Sequence, residues 1–227
     1  PAEIARHDLS SLQRIGIGAA PSTPALKARI DEIFGPGRLT EGYGSTESGM
    51  ISGLDAGGHV EKPGSSGRPF RHVEIRIRDA DGADLPPGEV GEIWARTPVA
   101  IEAYLGAPPL GPGERDAEGF MRLGDAGRLD EDGHLFITDR VKDMIVSGGV
   151  NIYPAEIEAA LIQHPRVQDV AVIGIPHEEF GEQVKAFVEP VPGARLEAAE
   201  LADFAAARLA SYKRPRSIDI VDELPRN

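Results

Sequence analysis

Three separated groups of residues carry side chains suited to chemistry. The first is Thr40-Glu41-Gly42-Tyr43-Gly44-Ser45-Thr46-Glu47-Ser48-Gly49, in which glycines flank an aromatic ring, hydroxyls and an acid. Tyr43 offers a flat face for a base, Thr46 can donate to a phosphate, and Glu47 can reach a Mg²⁺, which commonly takes one or two carboxylates beside phosphates. A surface loop has the same composition, so the stretch reads either as a loop or as a nucleotide site. The second group is Leu123-Gly124-Asp125-Ala126-Gly127. An ionised aspartate accepts hydrogen bonds and donates none, which suits a vicinal diol such as a ribose; a plain turn aspartate looks the same. The third runs from Thr138 to Glu158, with Asp139-Arg140-Val141-Lys142-Asp143, an apolar run, Gly148-Gly149 and then Pro154 opening a helix.

The chain that must position these groups has 227 residues, 41% hydrophobic and 27% charged, which is ordinary for one large or two smaller globular domains. Its net charge of -13 argues against sequence-independent nucleic-acid binding. Any polyphosphate must therefore be held by a local site rather than by the overall field. Cysteine is absent, which removes disulfides, thiolate metal sites and cysteine nucleophiles together and fits a reducing, cytoplasmic setting. No apolar run approaches the roughly 20 residues of a membrane span. The six histidines show no pair at metal-ligand spacing, so no zinc site is read. Pro1-Ala2-Glu3 is not a natural start, so the chain is expected to lack its beginning.

The elements follow in order. Leu12 to Ile17 reads as a strand leading into Gly16-Ile17-Gly18-Ala19-Ala20-Pro21, where small residues allow close backbone approach. Ser22 or Thr23 caps a helix with Pro24 at its first position. Its face of Leu26, Ile30, Ile33 and Phe34 ends at Gly35. From Gly64 to Thr138 the pattern is strand-rich: Val73, Ile75 and Ile77 alternate with charges, Asp81-Gly82 turns, and Glu89–Arg96 and His134–Thr138 are further strands. Gly106 to Gly119 reads as a loop. After residue 143 the order is hairpin, helix (154–163), strand (167–175), strand (183–191), helix (196–209) and strand (217–221).

Taken together, Glu41-Gly42-Tyr43-Gly44-Ser45-Thr46-Glu47, Gly124-Asp125, and Asp139-Arg140-Val141-Lys142-Asp143 with Gly148-Gly149-Val150-Asn151-Ile152-Tyr153-Pro154 resemble the adenylate-forming acyl-CoA synthetases, in the expected order along essentially the whole chain. That superfamily also includes peptide-synthetase adenylation domains and beetle luciferases. The resemblance implies an α/β and α+β fold. Residues 1–138 would end a large AMP-binding domain (1–60 an α/β layer, 64–138 a β-barrel-like subdomain), 139–143 would be a hinge, and 144–227 a small mobile carboxy-terminal domain.

It also implies roles. Gly18, Ala19 and Ala20 would line an adenine pocket, with Glu41, Gly42, Tyr43 and Gly44 completing it. Thr46 would contact phosphate, Glu47 would serve Mg²⁺, Asp125 would take the ribose hydroxyls and Arg140 would assist there. Lys142 would be the pivot, Gly148 and Gly149 would edge a pantetheine tunnel, and Tyr212, Arg214 and Arg216 would hold the nucleotide end of coenzyme A. A positive helix terminus is the other reading of that last cluster. The implied ligands are ATP, Mg²⁺, coenzyme A and a carboxylic acid, whether fatty, aryl or small and branched. The implied activity is AMP-forming acid–thiol ligation, with carrier-protein loading or a non-catalytic nucleotide-binding fragment as alternatives; the oligomeric state is open. The family's upstream phosphate loop is not matched here, and its carboxy-terminal lysine would follow Leu224-Pro225-Arg226-Asn227. The chain is therefore expected to be a carboxy-terminal portion that does not form acyl-adenylate by itself.

Overall fold

The structure is a computed structural model that describes residues 4–20 and 22–225. Pro1-Ala2-Glu3, Pro21 and the Arg226-Asn227 ending lie outside the described residues. The chain forms two compact units, Pro1–Ile137 and Thr138–Asn227.

In the first unit β1 (Ile15–Ile17), α1 (Pro24–Phe34) and β2 (Leu39–Ser45) form a right-sized crossover, and β1 lies parallel to β2 with Ile15 opposite Leu39. The helix starts where its capping residues dictate. Thr23 accepts the Leu26 N–H, Pro24 occupies the first turn, and Gly35 closes the helix at φ 89. Its inner face differs from the apolar face expected from the sequence. Leu26 is 49% exposed, and the buried residue is Lys27, at 5%. Lys27 lies inside because it pairs with Glu41 on β2, which also accepts from the Ser22 hydroxyl. The preceding strand is shorter than expected, Ile15–Ile17 rather than 12–17. The sheet continues through β3 (Gly49–Leu54) and, past the short α2 (Gly58–Glu61), to β4 (Arg68–Pro69), in order β1-β2-β3-β4.

A second sheet has β5 (Glu74–Arg78), β6 (Gly91–Arg96), β7 (Met121–Leu129) and β8 (Leu135–Arg140) in that order. The barrel-like subdomain is thus realised as an open four-stranded sheet. Its core of Ile51, Ile77, Ile93, Ala95 and Leu135 takes Tyr43 and Leu123 against it, so β2 and β7 meet over one apolar cluster. Strand β7 was not read from the sequence. Gly124 (φ 75), Asp125 and Gly127 all disfavour a strand in isolation. Tertiary contact overrides that preference: a Cβ at Gly127 would lie 2.5 Å from the Phe136 carbonyl oxygen.

The second unit has β9 (Ile145–Ser147), β10 (Val150–Ile152), α3 (Pro154–Leu161), β11 (Val167–His177), β12 (Gly181–Pro190), α4 (Ala198–Ala206) and β13 (Ser217–Ile220), the element order read from the sequence. The sheet runs β10-β9-β12-β11, with β13 parallel to β12. Alternation along β12 sends Val184, Ala186 and Val188 inward, where Ile157, Leu161, Leu201 and Leu209 cover them. Ile157 is fully buried in this cluster. We expect Ile157→Ala to lower the unfolding free energy of this unit by about 2–5 kcal/mol in a denaturant titration; a change well under 1 kcal/mol would show that α3 does not hold the core.

Candidate nucleotide and coenzyme site

The first unit brings two of the sequence groups into contact. Tyr43 and Asp125 are 82 positions apart, yet the Tyr43 hydroxyl donates to Asp125 Oδ2 at 2.6 Å. Close approach rather than looping requires the glycine at position 44. A Cβ there would stand 2.0 Å from the Gly49 carbonyl oxygen, whereas one at Gly42 would meet the methyl end of the exposed Met50 side chain, which can swing aside. The stretch 39–45 is therefore strand, not loop, and Asp125 is a strand residue, not a turn residue. The Gly18 turn joins the same place, since a Cβ there would come within 2.8 Å of the Gly42 carbonyl oxygen. Ala19 holds a positive φ of 65. Ala20 follows it, exposed.

Thr46 and Glu47 sit in the β2–β3 turn. Buried Ser48 locks this turn: its hydroxyl accepts the Ser45 N–H and the Ser45 hydroxyl accepts the Ser48 N–H. Thr46 is exposed and Glu47 half-buried. Glu47 Oε1 accepts the Tyr104 hydroxyl at 2.6 Å. This hydrogen bond, then its own backbone amide and Ser45, hold the Glu47 carboxyl below its ordinary range, while burial works against them. An ionised carboxylate on a fixed turn has the donor chemistry a Mg²⁺ beside phosphates requires. Glu41, in contrast, is committed to Lys27 and Ser22 and ties β2 to α1. Sequence reasoning missed Tyr104 and Lys27. Tyr104 sits in a turn-rich stretch without periodicity, and a lone lysine on a helix reads as solvated.

In the second unit, Arg140 is exposed and extended, and Val141–Asp143 make one 3-10 turn with Lys142 exposed. Asp139 Oδ2 accepts the Ala155 N–H at 2.8 Å, fixing this stretch to the start of α3. A cavity of about 410 Å³ here is lined by Asp139, Lys142, Asp143, Glu158 and Glu182 among others. Burial raises the Glu158 carboxyl above its ordinary range; the Val172 N–H on Oε1 works against that, and Asp139, Asp169 and Asp143 add to it.

A second cavity, about 220 Å³, gathers Gly148, Phe180, Tyr212, Arg214 and Arg216. Gly148 and Gly149 turn the hairpin with φ 59 and 80, but only Gly148 lines this cavity. The Arg216 guanidinium lies 4.5 Å from the Phe180 ring centroid, and Tyr212 is 52% exposed. Arg214 donates to the Leu209 and Ala206 carbonyls, both at 3.0 Å, so its guanidinium caps the end of α4. Among the described residues one acidic-histidine group, Asp130, Asp132 and His134, has donors clustered within 4.8 Å. It is a turn: Asp130 Oδ1 accepts the N–H groups of Asp132 and His134, and Lys62 bridges the two carboxylates.

The AMP-binding enzyme family matches residues 1–105, and the AMP-binding enzyme C-terminal domain matches residues 156–227. The chain belongs to this adenylate-forming superfamily. It is 40% identical over 220 residues to a feruloyl-CoA synthase of an Amycolatopsis species, covering 96% of this chain and 44% of that protein. It is 38% identical to the fatty acid–[acyl-carrier-protein] ligase ScoC of Streptomyces coeruleorubidus, covering 97% of this chain and 43% of that protein. Among solved structures, ATP-bound MatB from Rhodopseudomonas palustris superposes with a TM-score of 0.86 at 34% identity, over 94% of this chain and 42% of that one. The chain thus spans less than half the length of the curated relatives it matches. No helix among the described residues is long and apolar enough to cross a membrane.

The raised Glu158 has a sign that can be measured. The folded unit binds this proton more tightly than the unfolded chain, so stability falls as pH rises from the ordinary value of 4.5 through the folded value. Glu158→Gln keeps an acceptor for the Val172 N–H and removes the charge. We expect it to be more stable than the parent at pH 7 and equal to it below the ordinary carboxylate range, by denaturant melts across pH. Equal stability at all pH would show that the ionised form carries no penalty.

Proposed function

We propose that the intact gene product carrying this chain is an AMP-forming acid–thiol ligase that uses ATP, Mg²⁺ and coenzyme A. A carboxylate oxygen of the acid attacks the α-phosphorus, the bond to pyrophosphate breaks, and an acyl-adenylate forms. The sulfur of coenzyme A then attacks the acyl carbon, giving up its proton, and AMP leaves. Such chemistry asks a protein mainly for positioning and charge neutralisation. The observation that carries the reading is the 2.6 Å hydrogen bond joining Tyr43 to Asp125.

In this reading Tyr43 presents its ring to adenine, the Gly18-Ala19-Ala20 backbone and the Gly42 and Gly44 backbone flank it, and Asp125 accepts from the ribose hydroxyls. Glu41 contributes by fixing β2 to α1. Thr46 donates to phosphate and Glu47 holds Mg²⁺. The cation, when bound, would offset the negative charge on the leaving pyrophosphate. Arg140 assists at the ribose and phosphate. Residues 139–143 are the hinge between a domain ending at 138 and a mobile one from 144, with Lys142 solvated in either pose. Gly148, Tyr212 and Arg216 receive coenzyme A, with Gly149 shaping the turn and Arg214 steadying α4 beneath them. Likeness to ScoC favours a second reading of the acceptor, the thiol arm of a carrier protein. A cytoplasmic setting belongs to either reading.

Pyrophosphate exchange with a panel of fatty, aryl and small branched acids, followed by coenzyme A saturation, tests the reading. Carrier-protein labelling with indifference to coenzyme A would favour the second acceptor. Calorimetry showing no ATP or AMP binding would overturn both in favour of a non-catalytic protein. We expect Asp125→Ala to weaken AMP binding at least about tenfold, as loss of charged hydrogen bonds to two hydroxyls does. We expect Lys142→Pro, which fixes φ at the pivot, to slow at least one half-reaction while the rest of the chain stays folded. Full rates in both half-reactions would show that the pivot lies elsewhere.

A further inference from the structure

The segment between β6 and β7 lies against the Glu47 turn in three ways. The Val99 side chain covers the turn so closely that a Cβ on Gly49 would meet its Cγ2 at 2.8 Å. The Ile101 N–H donates to the Glu47 carbonyl at 2.9 Å. The Tyr104 hydroxyl reaches Glu47 Oε1 at 2.6 Å. The segment is also braced from its far side. The Leu110 N–H donates to the Glu102 carbonyl at 2.9 Å, Ala103 bridges to Pro109, and the Arg115 guanidinium donates to the Ile101 carbonyl at 2.7 Å. The place of Tyr104 is therefore set by backbone contacts on both sides of its segment, and not by its hydroxyl contact with Glu47 alone.

We propose that Tyr104 is a positioning residue: its hydroxyl on Oε1, together with the contacts from Ser45 and the Glu47 backbone amide, orients the Glu47 carboxylate for the Mg²⁺ that would accompany ATP. This rests on the reading of Glu47 as the magnesium ligand. A carboxylate has about four acceptor positions, so a hydroxyl on one oxygen leaves the other able to ligate. A short O–H···O⁻ contact is among the stronger hydrogen bonds and fixes direction as well as distance. A free glutamate on a turn samples several rotamers and loses that freedom on binding; one already tethered loses less. Tyr104 is 50% exposed, so its ring fills no core, and what it contributes at this place is the hydroxyl.

The test compares Tyr104→Phe and Glu47→Gln in the intact gene product, with Mn²⁺ as the metal probe. Mn·ATP binding is followed by electron paramagnetic resonance, and ATP binding in chelator by calorimetry. We expect Tyr104→Phe to weaken Mn·ATP about five- to tenfold, with metal-free ATP binding and melting temperature unchanged. In pyrophosphate exchange it should raise KM for Mg·ATP more than it lowers kcat. Glu47→Gln should weaken Mn·ATP further. If Glu47→Gln weakens Mn·ATP while Tyr104→Phe matches the parent, the positioning role is overturned and the magnesium reading stands. If Glu47→Gln matches the parent, the magnesium reading fails and the positioning role with it. Equal weakening of metal-free ATP by Tyr104→Phe would mark a general structural effect and also overturn the proposal.

Discussion

The strand that carries Tyr43 can pair with β3 as closely as it does, with Thr46 and Glu47 on the turn between them, only because position 44 has no side chain. A methyl group there would stand 2.0 Å from a backbone oxygen, a distance at which the strand must shift. Much of the first unit follows from that approach. With β2 and β3 pressed together, Tyr43 reaches the apolar cluster it shares with β7, and its hydroxyl finds Asp125. The same hairpin ends in a turn whose serines bind each other's backbone, and Thr46 and Glu47 stand on it. Gly44 is a packing requirement first, and the chemistry is arranged on the hairpin it permits.

The second unit is organised differently. Its core is aliphatic, built from the inward residues of β11 and β12 beneath α3 and α4. Three of its carboxylates serve as backbone acceptors: Asp139 for Ala155, Glu158 for Val172, Glu182 for Val146. These carboxylates line one cavity, where burial raises Glu158 and the charge of Asp139 adds to it. The charged stretch before β9 is thereby attached to α3 through Asp139, while Lys142 stays in solvent. One hydrogen bond at Asp139 beside a solvated turn is compatible with the pivot proposed for this stretch.

How legible this was depended on how local the cause is. Thr23, Pro24 and Gly35 mark α1 by capping chemistry alone, and the β11–β12 strands and their flanking helices follow from apolar periodicity. Strand β7 was hidden because Gly124, Asp125 and Gly127 argue against a strand until Phe136 is placed beside them. Lys27 was hidden because only the fold brings Glu41 to it. The site showed the same divide. Motif residues could be named, but the Tyr43–Asp125 bond, the Tyr104–Glu47 bond and the use of Arg214 as a helix cap each join residues whose meeting no spacing rule foretells.

The β9–β10 hairpin pairs with β12 in the sheet of the second unit through one register pair, Ser147 with Gly181, helped by the Gly148 N–H on the Phe180 carbonyl. Strands β11 and β12, in contrast, are zipped along nearly their whole length. What the short ladder leaves out, side chains supply: Ile145 and Ile152, each 1% exposed, are sunk in the core of the unit, and Glu182 accepts the Val146 N–H. The hairpin is thus nailed down from its inner face rather than laced along its edge. Gly148, which carries no side chain, gives the smaller cavity a bare backbone rim on that anchored base.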